Sequence, residues 1–176
     1  MLPERIITER LILRQFRESD RDDVFEFLSQ LEDDEFEGYP GITYDNCLTL
    51  LRQRIDSGEF YAIELSNTGK VIGNIFCGSR DQNSLEVGYI VNEYYRRNGY
   101  AYEALDAIID AAFFCGIHRI YAQCDPLNER SWRLLEKLGM TREAHLRKNM
   151  CFVRDENGDP VWKDTYIYAV LEEDRQ

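Results

Sequence analysis

One stretch in the middle of the chain decides the fold, and it reads Tyr94-Tyr95-Arg96-Arg97-Asn98-Gly99-Tyr100-Ala101. An alternating apolar segment precedes it and a long helical stripe follows it, so a strand is predicted to turn here directly into a helix. The first backbone N–H groups of a helix, together with its positive dipole end, bind anions. Gly99 permits close approach of the backbone, small Ala101 leaves the path open, and two arginines add local positive charge. The stretch therefore predicts a site for a diphosphate.

The segment before this turn alternates between two sets of side chains. Leu85, Val87, Tyr89 and Val91 share one face of the predicted strand, and Glu86, Gly88 and Ile90 share the other. An ionisable side chain, Glu86, therefore lies on the strand that leads into the diphosphate turn.

The flanking segments predict further strands and helices. Upstream, residues 8–14 read as a first strand, Ser19 is predicted to cap one helix and Thr43 a second, and the apolar runs 60–65 and 71–77 predict a hairpin. Downstream, the patterns predict a helix from Gly99 onward, a strand over 119–124, a helix capped by Asn128, and two strands over 140–150 and 161–171.

These elements give the order β-α-α-β-β-β-α-β-α-β-β in a single domain over residues 1–176. We expect an α/β (α+β) fold with a mixed, mostly antiparallel, twisted sheet flanked by helices. No repeat, linker or low-complexity segment suggests a second unit.

Charge and composition narrow the classes of function. The 44% of hydrophobic residues can form a packed core. A formal net charge of -12 opposes binding to nucleic acid or to an anionic membrane and suits a cationic acceptor, although solubility alone also accounts for such a charge. We expect no nucleic-acid or membrane partner.

The cysteines and the start of the sequence favour the cytoplasm. The five cysteines are scattered, odd in number, and not spaced for zinc or for a redox motif. No basic region followed by an apolar stretch opens the sequence, and no apolar run approaches membrane-spanning length. We expect a cytoplasmic protein without a metal.

Four sequence blocks follow one another in a characteristic order. They are Thr8-Glu9-Arg10-Leu11-Ile12-Leu13-Arg14, Glu86-Val87-Gly88-Tyr89, Gly99-Tyr100-Ala101-Tyr102-Glu103-Ala104, and Asn128-Glu129-Arg130-Ser131 through Lys137-Leu138-Gly139-Met140. Together they resemble the GNAT superfamily of acetyltransferases, and within it the RimJ/RimL-type branch of ribosomal-protein N-terminal acetyltransferases. The resemblance implies the GNAT fold and an N-acetyltransferase that moves an acetyl group from acetyl-CoA to a primary amine, either a protein N-terminus or a small amine.

The resemblance also implies a cofactor site. The strand ending near Ile90 and Val91 should splay from its neighbour and bind the pantetheine arm, with the diphosphate in the turn that follows. The implied cofactor-binding residues are Tyr89, Ile90, Val91, Arg96, Arg97, Asn98, Gly99, Tyr100, Ala101, Tyr102 and Asn128. Two positions depart from the family pattern. Relatives often have glycine in place of Arg97, and those that protonate the thiolate with a tyrosine have it in place of Leu135.

Acyl transfer to an amine requires a base, because an α-amino group has a pKa near about 8 and a lysine-like amine near about 10.4. Glu86 is the candidate base, and its alternative role is a solvent-facing or paired surface carboxylate. Ser131 faces inward with the apolar stripe of its helix and is a candidate for protonating or orienting the thiolate. Its alternative role is helix capping. Backbone N–H groups near Val91 could polarise the thioester carbonyl without any protein nucleophile.

The sequence is compatible with three functions: the acetyltransferase, a non-catalytic acyl-CoA-binding regulatory module, and an enzyme of the same fold that uses another acyl-CoA. The acidic segment 32–37 is predicted to lie between the first two helices and to attract a cationic or peptide acceptor, or else to be a solvated loop. The expected partners are acetyl-CoA and an amine acceptor, and the sequence leaves room for a homodimer.

Overall fold

Strands and helices of this chain form a central sheet with helices against both faces. A computed structural model describes residues 2–32, 34, 36, 41–79 and 83–175. Its elements are β1 (Arg5–Ile7), β2 (Leu11–Gln15), α1 (Arg21–Ser29), α2 (Tyr44–Ser57), β3 (Phe60–Leu65), β4 (Val71–Ser79), β5 (Ser84–Val91), α3 (Tyr100–Phe114), β6 (Arg119–Cys124), α4 (Glu129–Lys137), β7 (Thr141–Arg154) and β8 (Pro160–Leu171).

The described strands form an eight-stranded sheet in the order β1-β2-β3-β4-β5-β6-β8-β7. Neighbouring strands are antiparallel throughout except for β5 and β6, which are parallel. Helix α3 lies between β5 and β6 in the sequence and supplies the crossover that a parallel pair requires. The expected mixed, mostly antiparallel α/β fold is confirmed.

The two faces of β5 pack into two different hydrophobic clusters. Leu85, Val87 and Val91 are buried with the apolar side chains of α3. Ile90, on the opposite face, is buried with the apolar side chains of α1 and α2. The period of two predicted from the sequence therefore assigns the faces of this strand correctly.

The predicted first strand over 8–14 is wrong in its bounds, because residues 8–10 form a tight turn: β2 begins only at Leu11, and a separate strand, β1, precedes the turn. At this turn the Thr8 N–H donates to the Leu11 carbonyl at 3.0 Å, and the Leu11 N–H donates to the Thr8 hydroxyl at 3.0 Å. A threonine side chain closes the turn, and alternation of apolar residues does not reveal it. The fold gains one strand over the predicted order.

Ser19 does not cap the first helix. It lies within a 3-10 turn, Glu18–Asp20, and Asp20 occupies the capping position of α1. The Asp20 carboxylate instead accepts two hydrogen bonds from the guanidinium of Arg14, at 2.8 and 2.9 Å, and one from the Arg17 N–H. This buried ion pair joins a residue of β2 to the residue that directly precedes α1.

The other two predicted caps are confirmed. The Thr43 hydroxyl accepts the Asn46 N–H at 3.2 Å, and the Asn46 amide oxygen accepts the Thr43 N–H at 2.9 Å. The Asn128 side chain accepts the Ser131 N–H at 3.2 Å at the start of α4. Both helices therefore begin where local sequence predicts.

Part of the acidic segment lies outside the described residues, namely positions 33, 35 and 37, as do residues 38–40 of the turn that follows it. Strand β7 continues four residues beyond its predicted end, to Arg154. Of the helices in the described ranges, none has the length and hydrophobicity needed to cross a membrane.

Candidate functional site

The candidate site lies where β5 and β6 separate. Their parallel ladder ends at Glu86 and Tyr121. Beyond this point β5 continues to Val91 along β4, and β6 continues to Cys124 along β8. A gap therefore opens between the two strands, as the splay implied by the family resemblance requires.

Both helices that follow these strands begin at the gap. Because β5 and β6 are parallel, their carboxyl ends meet at one edge of the sheet, and ligands of open α/β sheets bind outside such strand ends. Helix α3 follows β5 and helix α4 follows β6. The predicted residues of β5, of the diphosphate turn and of the start of α4 are thus brought to one edge.

The backbone of β5 faces the gap at alternate residues. The Asn92 N–H donates to the Ile72 carbonyl at 2.8 Å, toward β4. In an antiparallel ladder the direction alternates, so Val91 and Tyr89 present their N–H and C=O groups to the gap, whereas those of Ile90 face β4. The Arg96 Nε donates to the Val91 carbonyl at 3.0 Å, which agrees with this orientation.

Gly73 allows β4 to approach this part of β5. A Cβ at Gly73 would lie 2.1 Å from the Ile90 carbonyl oxygen and 3.0 Å from the Val91 Cα. Both atoms belong to the backbone, which cannot move aside as a flexible side chain could. A glycine here is therefore needed to hold β5 in its observed position beside the gap.

We expect Gly73→Ala to lower the free energy of unfolding by about 1–3 kcal/mol, the usual range for overpacking. Gly88→Ala is the matched control, because a Cβ at Gly88 would meet only the Phe76 side chain at 3.8 Å, an ordinary contact. Urea denaturation of both variants measures the difference. Equal stability of the two variants would show that β4 and β5 relax without cost.

The diphosphate turn has two residues in the left-handed backbone region. Gly99, which precedes α3, has φ 82°. Arg97 has φ 65°, which is uncommon for a residue other than glycine. This conformation gives a physical reason for the glycine that relatives often have there. The Asn98 side chain donates to the carbonyls of Tyr95 and Arg96, each at 3.2 Å, and so holds the turn closed.

The first turn of α3 directs backbone N–H groups outward. Tyr100, Ala101 and Tyr102 are its first three residues, and such residues have no acceptor within their own helix. The rings of the two tyrosines contact cationic side chains. The guanidinium of Arg10 stacks over the Tyr100 ring at 4.6 Å, and the Lys137 ammonium lies 4.5 Å from the centre of the Tyr102 ring. These positions remain candidates for binding through the backbone.

Glu86 is half-buried at the last position at which β5 pairs with β6. The Gln123 side-chain amide donates to its Oε1 at 2.9 Å, and the Tyr121 hydroxyl lies 3.5 Å from its Oε2. Both partners belong to β6, so the carboxylate sits at the point where the strands separate. Gln123 was not predicted as a site residue, although a polar side chain next to apolar residues in the strand 119–124 was a usable signal.

A cavity of about 200 Å³ adjoins this point. Ser131 and Asn128 at the start of α4 line it, as does Gln123, the partner of Glu86. The other lining residues are Phe36, Cys124, Asp125, Met150, Phe152, Lys163, Asp164 and Thr165. The structure therefore brings both predicted catalytic residues, Glu86 and Ser131, to the neighbourhood of one cavity.

Cys124 lies in the wall of this cavity. Burial raises the pKa of its thiol to about 11, with Asp125 adding to the effect and a hydrogen bond with Ser131 opposing it. The thiol is therefore protonated at neutral pH, a state that disfavours nucleophilic attack. Leu135 is 1% exposed and belongs to the core, so the tyrosine position of relatives offers no acid here.

A family model of the acetyltransferase (GNAT) domain matches residues 10–141. The chain belongs to the GNAT family of acetyltransferases. Among curated relatives, the uncharacterized N-acetyltransferase YnaD of Bacillus subtilis (strain 168) is 31% identical over 172 residues, covering 96% of this chain and 98% of the relative.

Solved GNAT structures show the same fold. A GNAT-family acetyltransferase from Bacillus anthracis superposes with a TM-score of 0.86 at 29% identity, covering 96% of this chain and 99% of that one. RimL, a ribosomal L7/L12 alpha-N-protein acetyltransferase solved in complex with coenzyme A, has a TM-score of 0.79 at 18% identity, covering 94% and 96%. The second likeness concerns the fold alone.

Proposed function

We propose that this GNAT-family enzyme transfers an acetyl group from acetyl-CoA directly to a primary amine. The observation that carries the proposal is the gap between β5 and β6, which leads from Glu86 along β5 to the first turn of α3. A long, thin ligand with an anionic end and a reactive thioester end matches that shape. RimL, which shares the fold, was solved with coenzyme A.

In this proposal the diphosphate binds the turn from Arg96 to Ala101, with Tyr102 contributing its backbone N–H. The pantetheine arm lies along β5 beside Tyr89 and Val91. Asn128 begins α4 on the other side of the gap. Its side-chain oxygen accepts the Ser131 N–H, so its amide nitrogen is the group that donates to the arm. Helix dipole, backbone donors and arginine charge all favour an anion at this turn.

The chemistry requires no covalent intermediate on the protein. Glu86, directly or through water, removes a proton from the acceptor amine, and the neutral nitrogen attacks the thioester carbonyl. The Val91 N–H, which faces the gap, stabilises the oxyanion. The C–N bond forms and the C–S bond breaks, and the second proton that the attacking nitrogen loses passes to the departing thiolate, which Ser131 orients.

The proposal also assigns the acidic segment 32–37 a role in attracting the amine acceptor. Of its described residues, the Asp34 carboxylate accepts the Phe36 N–H at 2.9 Å, and Phe36 lines the cavity beside Ser131. Phe36 therefore borders the site, and we propose that the charge of segment 32–37 attracts a cationic amine or a peptide N-terminus there. The free state of all five cysteines agrees with a cytoplasmic location, which we also propose.

Replacing the five acidic residues of segment 32–37 by their amides should raise the KM for a cationic acceptor and leave the KM for acetyl-CoA nearly unchanged. The KM for the acceptor should also depend less on salt concentration than in the wild type. Opposite charges attract over roughly 8–10 Å near physiological ionic strength. Steady-state kinetics at several salt concentrations measures both effects. A triple amide variant of Asp155, Glu156 and Asp159 in the β7–β8 turn is the control. Unchanged acceptor kinetics in the segment variant would mean that the segment only solubilises the protein.

A direct test of the function follows thiol release by the purified protein with several acyl-CoAs against peptides and small amines. Turnover with acetyl-CoA and an amine is expected. Binding of acetyl-CoA without turnover would favour the regulatory module instead. Faster turnover with a longer acyl group would favour the enzyme of another acyl specificity.

A further inference from the structure

The turn between β1 and β2 is fastened to the first turn of α3. The Glu103 Oε1 accepts the Thr8 hydroxyl at 2.6 Å and the Arg10 N–H at 2.8 Å. The Glu103 Oε2 accepts the Arg10 Nε at 2.6 Å. Thr8 and Arg10 thus share the carboxylate of a residue more than ninety positions away in the sequence, a contact that the proposed chemistry does not use.

These contacts place the Arg10 guanidinium beside the diphosphate turn. Its Nη1 donates to the Asn98 carbonyl at 2.9 Å, and its plane lies over the Tyr100 ring at 4.6 Å. A Cβ on Gly99 would lie 3.4 Å from its Nη2. Within the described part of the chain, Nη2 has no hydrogen-bond acceptor, and the side chain is 43% exposed.

Glu103 gives this arrangement an electrostatic reason. It lies in the first turn of α3, where an uncompensated carboxylate would repel a diphosphate. Burial opposes its ionisation, but hydrogen bonds from Thr8 and Arg10 outweigh burial and hold the pKa of Glu103 below its ordinary value. The carboxylate is therefore ionised at neutral pH, and Arg10 both neutralises it and turns its remaining N–H groups toward the turn.

We infer that Arg10 is a phosphate-binding residue of the cofactor site, held in position by Glu103. The inference rests on the proposed function, since it requires a phosphorylated ligand at the Arg96 to Ala101 turn. A planar guanidinium with one edge bound by Glu103 and the other facing the turn is preorganised for a phosphate oxygen. Arg10 lies outside the Arg-x-x-Gly-x-Ala motif, so the site includes a third arginine from a distant strand turn.

Calorimetric titration with acetyl-CoA and with acetyl-pantetheine, which lacks every phosphate, tests the inference. Arg10→Gln should weaken acetyl-CoA binding by roughly ten- to hundredfold, the effect of a lost charge-assisted hydrogen bond. The affinity for acetyl-pantetheine should stay unchanged. Arg10→Lys should restore part of the loss. Arg52→Gln is the control, since Arg52 also pairs with a surface carboxylate, Glu18, through its Nε at 2.7 Å.

The double variant Arg10→Gln/Glu103→Gln separates phosphate binding from simple neutralisation. It should remain weakened, because removing the carboxylate does not replace the lost donor. Full recovery in the double variant, or equal loss for both ligands, would overturn the inference. Wild-type protein that binds no acetyl-CoA would overturn the proposed function as well, whereas unchanged binding by Arg10→Gln would overturn the inference alone.

Discussion

Gly99→Asp is expected to weaken acetyl-CoA binding by roughly a hundredfold or more. Gly99 has φ 82°, a conformation that an aspartate adopts only at a cost. The new carboxylate would also stand at the positive end of α3, where it would compete with the diphosphate for the same backbone N–H groups and for Arg10. Calorimetry with acetyl-CoA measures the loss.

Gly69→Asp controls for backbone strain and added charge. Gly69 has φ 75° in the β3–β4 turn, and a Cβ there would meet nothing within 4 Å. Thermal unfolding of both variants shows whether each is folded. If folded Gly99→Asp protein keeps the wild-type affinity, the diphosphate does not bind at this turn.

Glu86→Gln is expected to lower kcat by roughly a hundredfold or more, within the range for the loss of a general base. The amide keeps an oxygen that can accept the Gln123 donor, which Glu86 does at 2.9 Å, so the ends of β5 and β6 should stay in place. Acetyl-CoA affinity should change little. The loss should be greatest at pH values where the acceptor amine is still protonated and should shrink above its pKa.

Initial rates across a pH series, for the wild type and for Glu86→Gln, measure this effect. Glu156→Gln, at an exposed position of the β7–β8 turn, controls for the change in net charge. A pH–rate profile that coincides with the wild type would assign Glu86 a structural role, as the residue that ties β5 to β6 through Gln123.

Much of the fold could be predicted because local chemistry specifies it. Helix α3 runs Tyr100–Phe114 and strand β6 runs Arg119–Cys124, as their patterns indicate. Thr43 and Asn128 cap their helices through hydrogen bonds to residues three positions away. Interactions of such short range leave a readable signal in the sequence.

Other features could not be predicted, because they depend on partners that no local pattern identifies. Asp20 directly precedes α1 in place of Ser19, and its carboxylate pairs with Arg14 of β2, a contact that the helical pattern of α1 does not reveal. The exposed position of Cys115 depends on where the end of α3 meets solvent. The residues around Gly73 in the sequence do not indicate that a Cβ at this position would lie 2.1 Å from the Ile90 carbonyl oxygen.

By itself, the sequence determined the strand, turn and helix that form the diphosphate turn, the alternation that places Glu86, and the motifs that indicate the GNAT family. Hydrophobic period, capping and turn chemistry act over a few residues, so a single sequence displays them. Only the tertiary structure decided that β5 and β6 part at Glu86 and Tyr121, that Gln123 binds the candidate base, and that Arg10 reaches Asn98 and Glu103. These contacts join residues far apart in the chain, and they exist only after the core has packed and fixed the distances between strands and helices.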